Sequence, residues 1–259
     1  MNSKNHLEYT DEMLSFLYSS AVFQSLSENQ QRTFLNECMH DQHFYEILNI
    51  AQTLQEVIED VERIIPPATK EMKQFYKTSK KKILDKVEID KNVVFVPTEH
   101  FKKKCGPLIV CLQQGDEMID VEQFCKGLLL TLCDLCYGQR RDLYVVLFAE
   151  HTKVLSFELD RISLDSLMNL IQNHQDGPAK LLPALEKSLT IYNNATINDY
   201  TEVMIITNNH FVDYNEDTLN EFAKQFKKKE ITVSAVAMSE ESFGRQPLHF
   251  VDKVFFINE

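Results

Sequence analysis

Across residues 105–259, short apolar runs alternate with segments of helical period, and this alternation restricts the fold more than any other feature of the chain. Pro107-Leu108-Ile109-Val110-Cys111-Leu112, Leu143-Tyr144-Val145-Val146-Leu147-Phe148, Val203-Met204-Ile205-Ile206-Thr207, residues 231–238 and residues 254–257 are too short for ordinary helices and apolar almost throughout. Strands covered on both faces read this way. Residues 153–159 alternate polar with apolar, as an edge strand does. Between the runs, residues 120–137 (with Asp120 as N-cap), 164–171, 179–192 and 218–228 carry helical patterns. Strands alternating with helices predict an α/β, Rossmann-like, doubly wound and mostly parallel sheet. Sites in such sheets gather at the carboxyl ends of the strands. Here those ends are residues 113–118, 148–151, 207–213 and 238–243.

The first 104 residues differ in kind. No glycine precedes Gly106. Residues 1–65 carry three basic and eleven acidic side chains, residues 66–104 eleven lysines against five acids, and residues 105–259 thirteen basic against twenty-three acidic. The chain divides accordingly into an acidic, small all-helical region (1–65), a basic helical connector (66–104) and the α/β domain (105–259). In the first part Ser27-x-x-Gln30 forms a capping box. Phe44, Ile47, Leu48, Ala51, Leu54, Val57, Ile58, Val61, Ile64 and Ile65 make an amphipathic stripe that stops at Pro66-Pro67. That stripe suits a core face or docking against another chain, and the residues do not choose between them. The connector predicts a helix over 69–87.

The basic patch of Lys80, Lys81 and Lys82 with Lys102, Lys103 and Lys104 reads first as a solvated face neutralised by the acidic helices. An acidic protein partner, peripheral contact with anionic lipid, and nucleic acid follow in that order. The formal charge of −12 argues against nucleic acid for the molecule as a whole. No apolar run approaches the roughly 18 residues of a membrane helix. The start has no apolar signal core, so the cytoplasm is the expected compartment. Cys125, Cys133 and Cys136 fall on one helical face beside Leu129 and Leu132. Cys133-x-x-Cys136 lacks a second pair, so we read buried thiols and not a zinc or redox site.

Residues 106–259 resemble a von Willebrand factor A (vWA) domain, most closely that of the bacterial ViaA group. That group is itself similar to the CoxE group and is partnered by MoxR-type AAA+ ATPases. The resemblance rests on Gly106 to Leu112, on Arg141-Asp142 with the following strand, and on Val203 to Thr207. It rests above all on Val233-Ser234-Ala235-Val236-Ala237-Met238-Ser239 followed by Phe250-Val251-Asp252-Lys253-Val254-Phe255-Phe256. It implies a sheet whose rim binds Mg²⁺ or Mn²⁺ through oxygen ligands from three loops. Gln113 stands at the first aspartate of that pattern, Gly115 and Glu117 at its two serines, Pro178 at its threonine and Asn208 at its second aspartate, while Met118 is retained. Glycine and proline offer no side-chain ligand, and the loss of both aspartates removes most of the charge. The resemblance therefore implies a degenerate metal site and no cofactor. A remodelled site at Asp116, Glu117 and Asp213 is the alternative.

The function expected from this is non-catalytic: a protein-binding adaptor working with a MoxR-type AAA+ ATPase and a client protein in a chaperone-like remodelling assembly. The expected contact surface is a rim of Gln113, Gln114, Asp116, Glu117, Met118, Asp176, Asn208, Asn209, His210 and Asp213. One rival is a hydrolase using His151 and His210, although no GxSxG, GxGxxG or P-loop motif occurs. Another is a truncated paralogue that competes with a metal-intact vWA protein.

Overall fold

The structure is a computed structural model that describes residues 17, 19–38, 41–64, 106–159, 162–198 and 200–256. Six strands form one sheet: β1 (Leu108–Gln113), β2 (Leu143–Phe148), β3 (Thr152–Phe157), β4 (Glu202–Thr207), β5 (Thr232–Ala237) and β6 (Lys253–Phe256). Their order is β3-β2-β1-β4-β5-β6. Every pairing is parallel except β2 with β3, which join through a tight turn and run antiparallel. The 153–159 segment is thus the edge strand its alternation predicted. The chain builds outward from β1 to β3 and then returns to the other side of β1 as β4. The topological switch point, where a crevice opens above the strand ends, lies between Gln113 and Thr207.

The strands are apolar on both sides because both sides are covered. Leu108, Val110 and Leu112 face one apolar cluster, and Ile109 and Cys111 face the other. The second cluster is closed by α6 (Leu181–Asn194) and α7 (Glu216–Lys228). The first is closed by α4 (Glu122–Gly138), α5 (Leu164–Gln172) and the N-terminal helices α1 (Ala21–Gln24), α2 (Glu28–Cys38) and α3 (Gln42–Ile64). A short helix α8 (Glu240–Arg245) follows β5.

The helix α4 explains its own composition. One side lies on the sheet and the other is covered by α3, so it is apolar nearly all round. Leu129, Cys125, Cys133 and Cys136 are all buried. The covering is close: a Cβ on Gly127 would sit 2.6 Å from the Ile50 side chain and 3.1 Å from the Ile47 carbonyl. The Thr131 hydroxyl donates to the Ala51 carbonyl across the same seam, at 3.2 Å. Phe44, Ile47, Leu48 and Ala51 are each at most 1% exposed. The α3 stripe, over the part whose side chains are described, is core and not a free groove. At the start of α2 the capping box forms as its residues require. Ser27 N donates to Gln30 Oε1 and Gln30 N to Ser27 Oγ.

Asp120 does not cap α4. It lies inside a 3₁₀ turn over Asp116–Val121, and Val121 takes the N-cap position without a side-chain bond. The turn is anchored by the buried Met118, whose N–H donates to the Gly115 carbonyl. The helix expected over 69–87 and the six lysines of the basic patch lie outside the described residues. Among the described residues, no helix is long and apolar enough to cross a membrane.

Candidate functional site

Three loops meet at the switch point: one after β1, one between α5 and α6, and one after β4. β1 ends in Gln113, whose side chain is 1% exposed. Its Oε1 accepts the Thr207 hydroxyl at 2.5 Å and the Asn208 N–H at 3.3 Å. The Thr207 oxygen in turn accepts the Asn209 N–H at 2.7 Å. The Asn209 amide donates to the carbonyls of Phe243 and Gln246. Gln246 itself brackets Phe211 with one bond to its N–H and one to its carbonyl. The β1 and β4 ends are therefore joined directly, with α8 tied in behind them.

Next along the first loop, Gln114 and Asn173 exchange two bonds, at 3.1 and 3.0 Å. Gly115 follows with φ 108°, and a Cβ there would stand 2.7 Å from the Gly177 carbonyl. Glycine is required twice over, by the backbone conformation and by the contact. The 3₁₀ turn then presents Glu117. Its carboxylate accepts the Asn208 amide at 2.9 Å and lies against His210 Nδ1. The His210 N–H closes the ring onto Asn208 Oδ1 at 3.1 Å.

Beneath the second loop runs a chain of ionisable side chains. Lys126 is 1% exposed in the middle of α4. Its ammonium donates to the Ile171 carbonyl at 2.7 Å and pairs with Glu122 at 2.6 Å. Glu122 also meets His174 Nδ1 at 3.2 Å, and His174 Nε2 meets Asp176 at 3.0 Å. Burial works against the charge on Glu122, but the Lys126 ammonium and the His174 ring outweigh it and hold that carboxyl below its usual range. The chain fixes the Asp176 loop to α4.

Of the expected rim residues, Asp116, Glu117, Asp176 and His210 are exposed and Asn208 is half-buried. Gln113, Gln114, Met118 and Asn209 are buried. They set the shape of the rim from within and offer no surface to a partner. Asp213 caps α6 from the neighbouring loop: its two oxygens accept the N–H groups of Leu181 and Leu182 at 2.8 and 2.9 Å. Gly115 and Pro178 contribute backbone only. His151 stands exposed in the β2–β3 turn, and no hydrogen bond joins it to His210.

A hard divalent cation needs several oxygen ligands, with carboxylates supplying the charge. Several of the oxygens at this rim are committed elsewhere. Gln113 Oε1 takes the Thr207 and Asn208 donors, Glu117 faces Asn208 and His210, and Asp213 is spent on helix N–H groups. Among the described residues, no group of three His, Cys, Asp or Glu converges to hold a metal. The carboxylates of Glu117 and Asp213 are thus engaged by donors of the chain itself.

Sequence reasoning did not single out Lys126, Glu122, His174 or Gln246. A lysine inside the apolar run of α4 is a signal that could have found the first. A buried ammonium demands a carboxylate, and Glu122 stands one turn before it. Nothing local marks Gln246, whose role comes from a loop folded over from β5.

The chain matches no family profile and no curated protein sequence. Solved structures similar to it include the VWA domain of SpRpn10, with a TM-score of 0.46 and 11% identity over 59% of this chain and 87% of that one. A von Willebrand factor type A structure from Catenulispora acidiphila has a TM-score of 0.48 and 11% identity, covering 60% of this chain and 39% of that one. The manganese-loaded TRAP protein of Plasmodium vivax has a TM-score of 0.43 and 14% identity, covering 53% and 58%.

Proposed function

We propose that this chain is a non-catalytic, vWA-like protein-binding adaptor whose rim works without a metal ion, and that it serves a MoxR-type AAA+ ATPase acting on a client protein. One observation carries the reading: the three loops at the switch point are held to one another by the chain's own side chains. Gln113 joins the first loop to the third, Glu117 does so again at the surface, and Gln114 joins the first to the second. A rim so fixed is a ready contact surface and needs no ion to order it.

The chemistry of the remaining groups favours binding over catalysis. A catalytic thiol must ionise near neutral pH. Burial pushes Cys111, Cys125 and Cys136 up to about 12 and raises Cys133 well above the ordinary thiol value. His210 is occupied by Glu117 on an open surface, with no nucleophile bonded to it. The ATPase partnership is drawn from the sequence resemblance of residues 106–259.

Affinity capture of the tagged protein from its native cytosol, with ATP and without, tests the reading. A MoxR-type ATPase should be recovered in a nucleotide-dependent way and lost when Asp116 and Asp176, both exposed, are changed to alanine. Recovery of no ATPase, or recovery indifferent to the rim changes, refutes it.

A further inference from the structure

Four large apolar side chains stand out as exposed among the described residues: Ile119, Val154, Tyr200 and Val212. Two of them share the rim. Ile119, 60% exposed, follows Glu117 by two residues, and Val212, 58% exposed, follows His210 by two. Glu117 ties these two loops together through Asn208 and His210, so each apolar residue follows one end of a single bridge by two positions in the chain.

Their exposure is built in. Met118, beside Ile119, is 2% exposed and holds the 3₁₀ turn to Gly115. Phe211, beside Val212, is also 2% exposed and is bracketed by Gln246. The Val212 N–H itself donates to the Ala179 carbonyl at 3.0 Å. In each loop one apolar neighbour is buried and the next is held out to water by an ordered backbone. Fixed apolar groups on an otherwise polar surface are what anchor a partner at low entropic cost.

The charge on the turn that carries Ile119 is of one sign. Asp116 and Asp120 are exposed on the same turn as Ile119. Neither makes an ion pair among the described residues, and the nearby His210 is taken by Glu117. A cationic partner gains from both carboxylates, whereas an anionic one is repelled.

We infer that the surface between the 116–120 turn and the 208–212 loop docks a protein segment presenting an apolar side chain between lysines or arginines. The inference rests on the protein-binding reading above and adds the chemistry of what is bound. The apolar side chain seats between Ile119 and Val212. The flanking cations meet Asp116 and Asp120, and because those contacts are exposed they weaken with salt.

Fluorescence anisotropy on the full chain tests this with two synthetic peptides, one with a central leucine between lysines and the other with glutamates in their place. The lysine peptide should bind and the glutamate peptide should not. Ile119→Ser with Val212→Ser should weaken binding about tenfold, as should Asp116→Asn with Asp120→Asn. Val154→Ser, on the β3 edge, should leave it unchanged. All five positions are exposed, so the variants keep the fold. The inference is overturned if the lysine peptide fails to bind, if the glutamate peptide binds as tightly, or if Val154→Ser costs as much as the rim pair. An ATPase still captured through Asp116 and Asp176 would then leave the adaptor reading standing and remove only the chemistry assigned to its ligand.

Discussion

Among the described residues, Lys126 is a lysine buried to 1% exposure, far from the water its type prefers. A buried ammonium survives only because Glu122 and the Ile171 carbonyl replace its water. Lys126→Met removes the cation and leaves Glu122 facing apolar surroundings with one partner fewer. The loss should be about 2–4 kcal/mol, at the lower part of the range for broken buried pairs because Glu122 keeps His174. Lys126→Met with Glu122→Leu should recover part of that loss. Urea midpoints for the two single variants and the double variant measure the coupling, and strict additivity would refute the pairing. Gly115 is constrained differently, by φ 108° and by the Gly177 carbonyl. Gly115→Ala should cost about 1–3 kcal/mol, read from the same midpoints. An unchanged midpoint would mean that the two loops do not touch as described.

At the scale of elements, α4 acts as the hub between the sheet and the N-terminal helices. Asp134 is its polar fastening: the carboxylate accepts the Ser20 hydroxyl at 2.8 Å and the Val22 N–H at 2.9 Å. Those bonds cap α1, but the second oxygen is buried without a partner. Burial therefore dominates and raises the carboxyl above its ordinary value, with the Val22 and Ser20 bonds pulling the other way. An acid raised in the folded state binds more protons there than in the unfolded chain. Its stabilising contribution is complete below the unfolded value of about 3.9 and is lost as pH rises through the folded value. Asp134→Asn should abolish that downward slope and still accept the Val22 N–H. Urea midpoints measured across the acid range, compared with those of the unaltered protein, test it. Parallel curves for the two proteins would show that Asp134 does not titrate between those limits.

At the scale of the molecule, the proposed metal-free rim predicts indifference to divalent ions. A ligand that binds only the folded state raises its stability in proportion to the logarithm of its excess over Kd. Thermal unfolding in EDTA and in millimolar Mg²⁺ or Mn²⁺ should therefore give the same Tm, and a rise of several degrees with either ion would show that a cation site survives. The sheet was legible in the sequence. Every run read as a strand in residues 107–256 became one, because length, apolar composition and period are local properties that a both-faces-covered strand must have. The α4 start was not legible at Asp120, since a cap residue competes with whatever the preceding loop requires, and Met118 had its own place to fill. Gln113, Gln114 and Asn209 were marked by position at the strand ends, yet their burial could not be read from their polar side chains. The sequence by itself determined the alternation of elements and the carboxyl-end rim. Only the tertiary structure decided that Gln113 would be satisfied by Thr207, ninety-four residues later. It likewise decided that a lysine would lie under the rim and that α3 would share one core with the sheet. These are pairings between distant segments, and a polar or amphipathic residue acquires its partner only when the chain has closed around it.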